Sequence, residues 1–319
     1  MGSDSLTRRG VLLGLLGAWF APAPFARAEG KSEVTDVKRD VRGTTLVMDL
    51  ETAPFPDGKG GGFRDSTVFV FIPSYFRDHG TVDVLVHFHG HNTTAEEALE
   101  KHQLREQVIQ SGSNIILVVP QGPVHAESSE CGKLAVEGGL LRMLNDIRKT
   151  AQRARTKLKK NALSTKSKWG SILLSAHSGG YHGAAMCAKH GGVGVNQIFL
   201  FDALYNDSEI FREWAIATKG KKKRHRIVSF HTDGTTGWQS KKLGRELEEA
   251  GLTVSEEDPE GALSRYEFAT SDMVIVHTAL PHSACTHEKG ELRDCIMAAG
   301  LSARTRNAWH KKGKKPRWR

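Results

Sequence analysis

The chain has 319 residues, 39% of them hydrophobic and 25% charged, with a formal net charge of +9. That length allows one large domain or two small ones with ample core. The composition is that of a soluble globular protein rather than of a membrane-embedded one. The positive charge belongs to the ends: without residues 1–28 and the tail from Arg304, acids outnumber bases by one.

In chain order, the first feature is a leader. Thr7-Arg8-Arg9-Gly10 precedes the apolar run Val11 to Phe20, and Phe25-Ala26-Arg27-Ala28 offers a small-x-small cleavage site. This is the pattern of a secretory signal. The paired arginines suggest the twin-arginine route, although Val11 and Leu13 stand where Phe and Lys are usual. The run is shorter than the ~20 residues that span a bilayer, and Pro22 and Pro24 follow it, which weighs against an anchor. Residues 1–28 are therefore expected to be removed, leaving a protein exported to the periplasm or beyond, with one domain over 29–303.

Within that domain, apolar β-branched runs of strand length alternate with helical patterns. Eight strands are expected: 44–50, 67–72, 82–88, 115–119, 171–175, 197–201, 227–230 and 273–277. One helix is expected between the third and fourth ("TAEEALEKHQLREQVIQSG") and one between the fourth and fifth ("EGGLLRMLNDIRKTAQRARTKLKK"). A small-residue helix from Gly179 to about Lys189 follows the fifth strand. "GWQSKKLGRELEEAG" and "EKGELRDCIMAAG" follow the seventh and eighth. Early hairpin-like strands and later strand–helix alternation predict a mostly parallel α/β sheet covered on both faces, with chemistry at the C-terminal strand ends.

The stretch "SILLSAHSGGYHGAAM", 171–186, carries a candidate nucleophile. Ser178 follows the fifth strand and opens a helix, with Ala176 two residues before it and Gly180 two after. Small residues at those positions let strand and helix pack closely around an exposed hydroxyl. A serine needs a base, a group that orients the base, and donors for the oxyanion. The loop "HFHGHN", 87–92, can turn a backbone N–H of the His89–Gly90 segment toward the oxyanion, with Gly179 N–H as the other donor. His87, His89 and His91 would share one strand face as metal ligands, but no carboxylate cluster accompanies them and Gly90 breaks the strand. "DMVIVHTALPHSAC" supplies His282 in a loop, preferred as base over His277 at the strand end, with His287 a third choice. The acid is Asp202, in "IFLFDALY", or Asp233, in "IVSFHTDGTTG".

Together, "SAHSGGY", the His-Gly loop, and acid and base in that order resemble the α/β-hydrolase fold over roughly 44–299. Members of that superfamily more often place the acid after the seventh strand, which would choose Asp233. A minority place it after the sixth, which would choose Asp202, and "FLFDALYND" resembles a run in some exported bacterial members, so Asp202 is preferred narrowly and Asp233 is the alternative. The resemblance implies a serine hydrolase that cleaves an ester, or an amide, through an acyl-enzyme without a cofactor. The short spans between the later strands leave little room for a large cap, so bulky or polymeric substrates fit the expectation.

Four cysteines remain, and an even count in an exported chain permits disulfides. Cys285 and Cys295, ten residues apart across a polar turn, are the preferred pair. The tail 304–319 has eight bases and no acid; such runs usually stay solvated and disordered. With Trp309 and Trp318 it could instead bind anionic envelope polymers or lipid head groups, which makes a catalytically silent binding domain the alternative function. Nucleic acid is not an expected partner of an exported protein.

Overall fold

The computed structural model describes residues 32–59, 62–155, 163–258, 260–303 and Arg317. The leader 1–28, and the tail apart from Arg317, lie outside the described residues.

One sheet of ten strands organises the domain, in the order β1-β2-β3-β5-β4-β6-β7-β8-β10-β9. β1 (Glu33–Arg39), β2 (Gly43–Asp49) and β3 (Thr67–Pro73) form an antiparallel meander, and β3 runs antiparallel to β5 (Ile115–Pro120). The rest is parallel: β4 (Thr81–Phe88), β6 (Lys168–His177), β7 (Val195–Phe201), β8 (Arg226–His231), β10 (Met273–His277) and β9 (Val254–Glu257). The eight expected strands are all present. The two additional ones are edge strands: β1 (EVTDVKR) is largely exposed and β9 (VSEE) only partly covered. Neither carries the apolar run that a doubly covered strand needs, so hydrophobicity does not announce them.

Strand alternation splits the core into two. Val84, Val86, Ile172, Leu174 and Leu200 pack on one face, against α3 (Gly139–Arg153), α4 (Tyr181–His190), α5 (Ser208–Ile216) and α6 (Thr235–Glu249). Leu85, Leu117, Leu173, Phe199 and Phe230 pack on the other, against α1 (Ala95–Lys101), α2 (Leu104–Ser111), α7 (Arg265–Thr270) and α8 (Glu291–Ala298). The single helix expected over 94–112 is two: Gln103 adopts a left-handed conformation with φ 49°, which ends one helix and starts the next. Thr94 and Glu97 form a capping box at the start of α1. The β7–β8 connection holds α5 and the β8–β10 connection α6, β9 and α7, an α/β-hydrolase-like architecture without a large cap among the described residues.

The expected Cys285–Cys295 disulfide is not formed. Neither sulfur is in a disulfide, and both are buried. Cys285 Sγ donates to the His282 carbonyl at 3.2 Å, and Cys295 lies on the apolar side of α8. Burial raises the Cys285 thiol, so each sulfur serves as a small apolar core group. Cys131 and Cys187 are likewise buried and in no disulfide.

Candidate active site

β6 ends at His177, and Ser178 begins a 3₁₀ turn, Ser178–Gly180, that runs into α4. Ser178 has φ 51°, a left-handed conformation that a residue with a Cβ adopts only at a cost of ~1–3 kcal/mol when its surroundings impose it. Two glycines show what imposes it. A Cβ on Gly180 would lie 2.4 Å from the Phe88 carbonyl oxygen and 2.8 Å from that of His89, so the start of α4 presses directly on the end of β4. A Cβ on Gly90 would lie 2.8 Å from the Ser178 Cβ, so the β4 loop passes against the serine itself. Ala176 is fully buried in the core on the α4 side, where one methyl fits.

The Gly179 N–H sits at the opening of the helix, where backbone donors have no partner within the helix. Opposite it, the His89 ring fixes the β4 loop. Its Nδ1 bonds the Gly90 carbonyl at 2.8 Å, and its Nε2 accepts from the Gly122 N–H at 2.9 Å. A carbonyl can only accept and an N–H only donate, so the proton is on Nδ1. Burial lowers the ring's affinity for a second proton. His89 therefore offers no side-chain donor to a substrate. By holding the Gly90 carbonyl, however, it turns the His91 N–H of that trans peptide the opposite way. A shallow cleft open to solvent lies here, lined by Phe88, His89, Gly122, Cys131, Gly179 and Gly180 among others.

His282 Nδ1 lies 2.6 Å from Asp202 Oδ2. Asp202 follows β7, is 2% exposed and accepts three further bonds: from the Thr232 N–H at 3.0 Å, the Thr232 hydroxyl at 2.8 Å and the Thr236 hydroxyl. Burial by itself would raise its pKa, but the donors His282, Thr236 and Thr232 outweigh it and hold the carboxyl well below the usual range. An ionised Asp202 requires Nδ1–H on His282, which leaves the Nε2 lone pair of the neutral ring free to take a proton. The His282 carbonyl is bonded to His177 Nε2 at 2.9 Å, so the imidazole loop is tied to the residue preceding Ser178.

The other candidates are engaged elsewhere. His277 Nε2 is 3.3 Å from Asp233 and its Nδ1 3.1 Å from Asp258, with the Asp233 side chain 95% exposed. His287 stacks on His102. The alternating histidines of the β4 end go to three separate partners: His87 to Ser175 and His91 to Ser129, both at 2.8 Å, and His89 to the loop contacts above. Sequence reasoning missed Thr232 and Thr236, although a run of hydroxyls after β8 ("HTDGTT") was in view. It also missed His177 as a partner of the His282 loop.

No family model matches the chain, and no curated protein matches it. Among solved structures, it is similar to an S-formylglutathione hydrolase from Agrobacterium tumefaciens (12% identity, 83% of this chain and 96% of that one, TM-score 0.44). A second is the S-formylglutathione hydrolase of Staphylococcus aureus (11% identity, 82% and 99%, TM-score 0.47). A third is a feruloyl esterase module from Clostridium thermocellum (10% identity, 82% and 86%, TM-score 0.45). At such identities nothing about this chain's substrate follows.

Proposed function

We propose that the protein is a serine hydrolase that cleaves a carboxylic ester through an acyl-enzyme. The observation that carries this reading is the 2.6 Å bond from His282 Nδ1 to the buried, multiply bonded Asp202, on a loop tied to the residue before a serine held in left-handed conformation. Ser178 Oγ attacks the carbonyl carbon as His282 Nε2 takes its proton, and Asp202 stabilises the imidazolium. The Gly179 N–H and a backbone N–H of the 89–91 loop hold the tetrahedral oxyanion. The imidazolium then gives its proton to the leaving oxygen, and water, activated by the same ring, releases the acid. Amide cleavage uses the same groups and differs in the leaving nitrogen. The leader pattern in residues 1–28 supports export to the periplasm or beyond, and the absence of a large cap among the described residues suits bulky ester substrates.

A fluorophosphonate probe tests the reading. It should label the wild-type protein covalently at Ser178, and Ser178→Ala should abolish both labelling and hydrolysis of a simple aryl ester. Folded wild-type protein that takes up no label would overturn it.

A further inference from the structure

His177 is the residue between the packing alanine and the nucleophile, and the mechanism above gives it no task. Its ring lies on the sheet face of Leu173 and Ser175, opposite the core that receives Ala176. There it is enclosed by three groups. The His102 ring stands edge-on at 4.6 Å, and the His282 ring lies at 4.6 Å, tilted by 38°. Gly90 is so close that a Cβ there would come within 3.2 Å of His177 Nδ1. Its single polar bond runs from Nε2 to the His282 carbonyl at 2.9 Å. The carbonyl can only accept, so His177 is the Nε2–H tautomer. Burial and the neighbouring imidazoles keep it neutral, with its pKa pushed down to about 4.

We propose that His177 is a positioning residue for the base: its Nε2–H holds the main chain of His282, so that nucleophile and base are registered against each other by a bond between the residue beside one and the backbone of the other. The loop carrying His282 is built of turns. Asp202 fixes the ring at Nδ1, and the other bond to the His282 carbonyl, from Cys285 Sγ, comes from within the same run of turns. The bond from His177 supplies the second point. Because His177 and Ser178 are adjacent, any shift of the elbow carries the base loop with it. This inference rests on the proposed role of His282.

The test compares His177→Phe, which keeps a ring and loses the donor, with His177→Gln, which keeps an N–H donor without the ring. Misplacing a base by about 1 Å costs roughly 100-fold. His177→Phe should therefore lower kcat for an aryl ester, and the rate of fluorophosphonate labelling, by roughly 10- to 100-fold with KM little changed. His177→Gln should recover most of that loss. A merely structural role would instead make both rates follow melting temperature, with no rescue by Gln. A folded His177→Phe protein with wild-type kcat overturns the proposal. Should that variant not fold, nitrogen NMR of the wild-type histidines decides: Nε2–H on His177 at neutral pH is required, and Nδ1–H or a charged ring overturns it. If the wild-type protein does not label at all, the hydrolase reading has failed first. If it labels at Ser178 while His177→Phe reacts normally, only the positioning role has failed.

Discussion

Replacing Asp202 by Asn tests the candidate triad with the fold left in place. Four donors converge on the two carboxylate oxygens: His282 and the Thr232 hydroxyl on Oδ2, the Thr232 N–H and the Thr236 hydroxyl on Oδ1. Asn offers one acceptor oxygen and one NH₂. The Thr232 N–H cannot turn away, so it keeps the oxygen at the Oδ1 position. The NH₂ then falls at the Oδ2 position, facing His282. The Thr232 hydroxyl can rotate to accept from it. The imidazole can adapt only by moving its proton to Nε2, the nitrogen that must receive the Ser178 proton. The wrong tautomer in such a triad costs about 10,000-fold in kcat, or about 5.4 kcal/mol of barrier. Losing a charge-assisted bond costs about 1.5–3 kcal/mol of stability, which leaves the protein folded. The assay is kcat for an aryl ester together with the fluorophosphonate labelling rate, with circular dichroism as the folding control. Asp233→Asn is the matched comparison: its exposed carboxylate faces His277, so kcat should stay near wild type. An Asp202→Asn enzyme within tenfold of wild type, or an Asp233→Asn enzyme that is dead, would refute the reasoning.

Gly180→Ala forces a methyl to within 2.4 Å of one backbone oxygen and 2.8 Å of another. Backbone cannot give way as a side chain can, so urea denaturation should show a loss at the upper end of the ~1–3 kcal/mol range of overpacking, with ester turnover falling too. Ala176→Gly removes a buried methyl beside the elbow and loosens the strand's backbone. It should cost about 1–2 kcal/mol and leave kcat within a few-fold. Stability should also fall on acidification. The pKa of His87 is pushed down to about 3 and that of His177 to about 4, first by burial and then by neighbouring imidazoles, against about 6.5 in the unfolded chain. Between pH 6.5 and 4 the unfolded chain therefore binds two more protons at these sites, so the stability present above pH 6.5 is lost as pH falls, by up to about 2.7 kcal/mol per unit. Denaturation midpoints that do not move between pH 7 and 5 would contradict this.

The parts of the molecule that could be read from its sequence are those whose cause is local. A doubly covered strand must be apolar throughout, so IILVVP and ILLSAH declare themselves, whereas EVTDVKR and VSEE become strands only because a neighbour's edge is there to pair with them. The elbow is local too: small residues, a serine and a strand-to-helix switch within six positions. The acid is not. Asp202 and Asp233 both follow apolar strands, and only the abrupt end of its apolar run and the resemblance of "FLFDALYND" favour Asp202 narrowly in the sequence. What separates them is which side chains reach each carboxylate: Thr232, Thr236 and, from the loop beyond β10, His282 reach Asp202, whereas His277 at the end of β10 reaches Asp233. The same limit hides His177. Its partner is a carbonyl 105 positions away, and a backbone oxygen has no signature in sequence. On the proposed mechanism, the chemistry of this site depends on a contact between its most legible segment and its least legible one. For that reason a change at His177, with Ser178, His282 and Asp202 all intact, should still slow the enzyme.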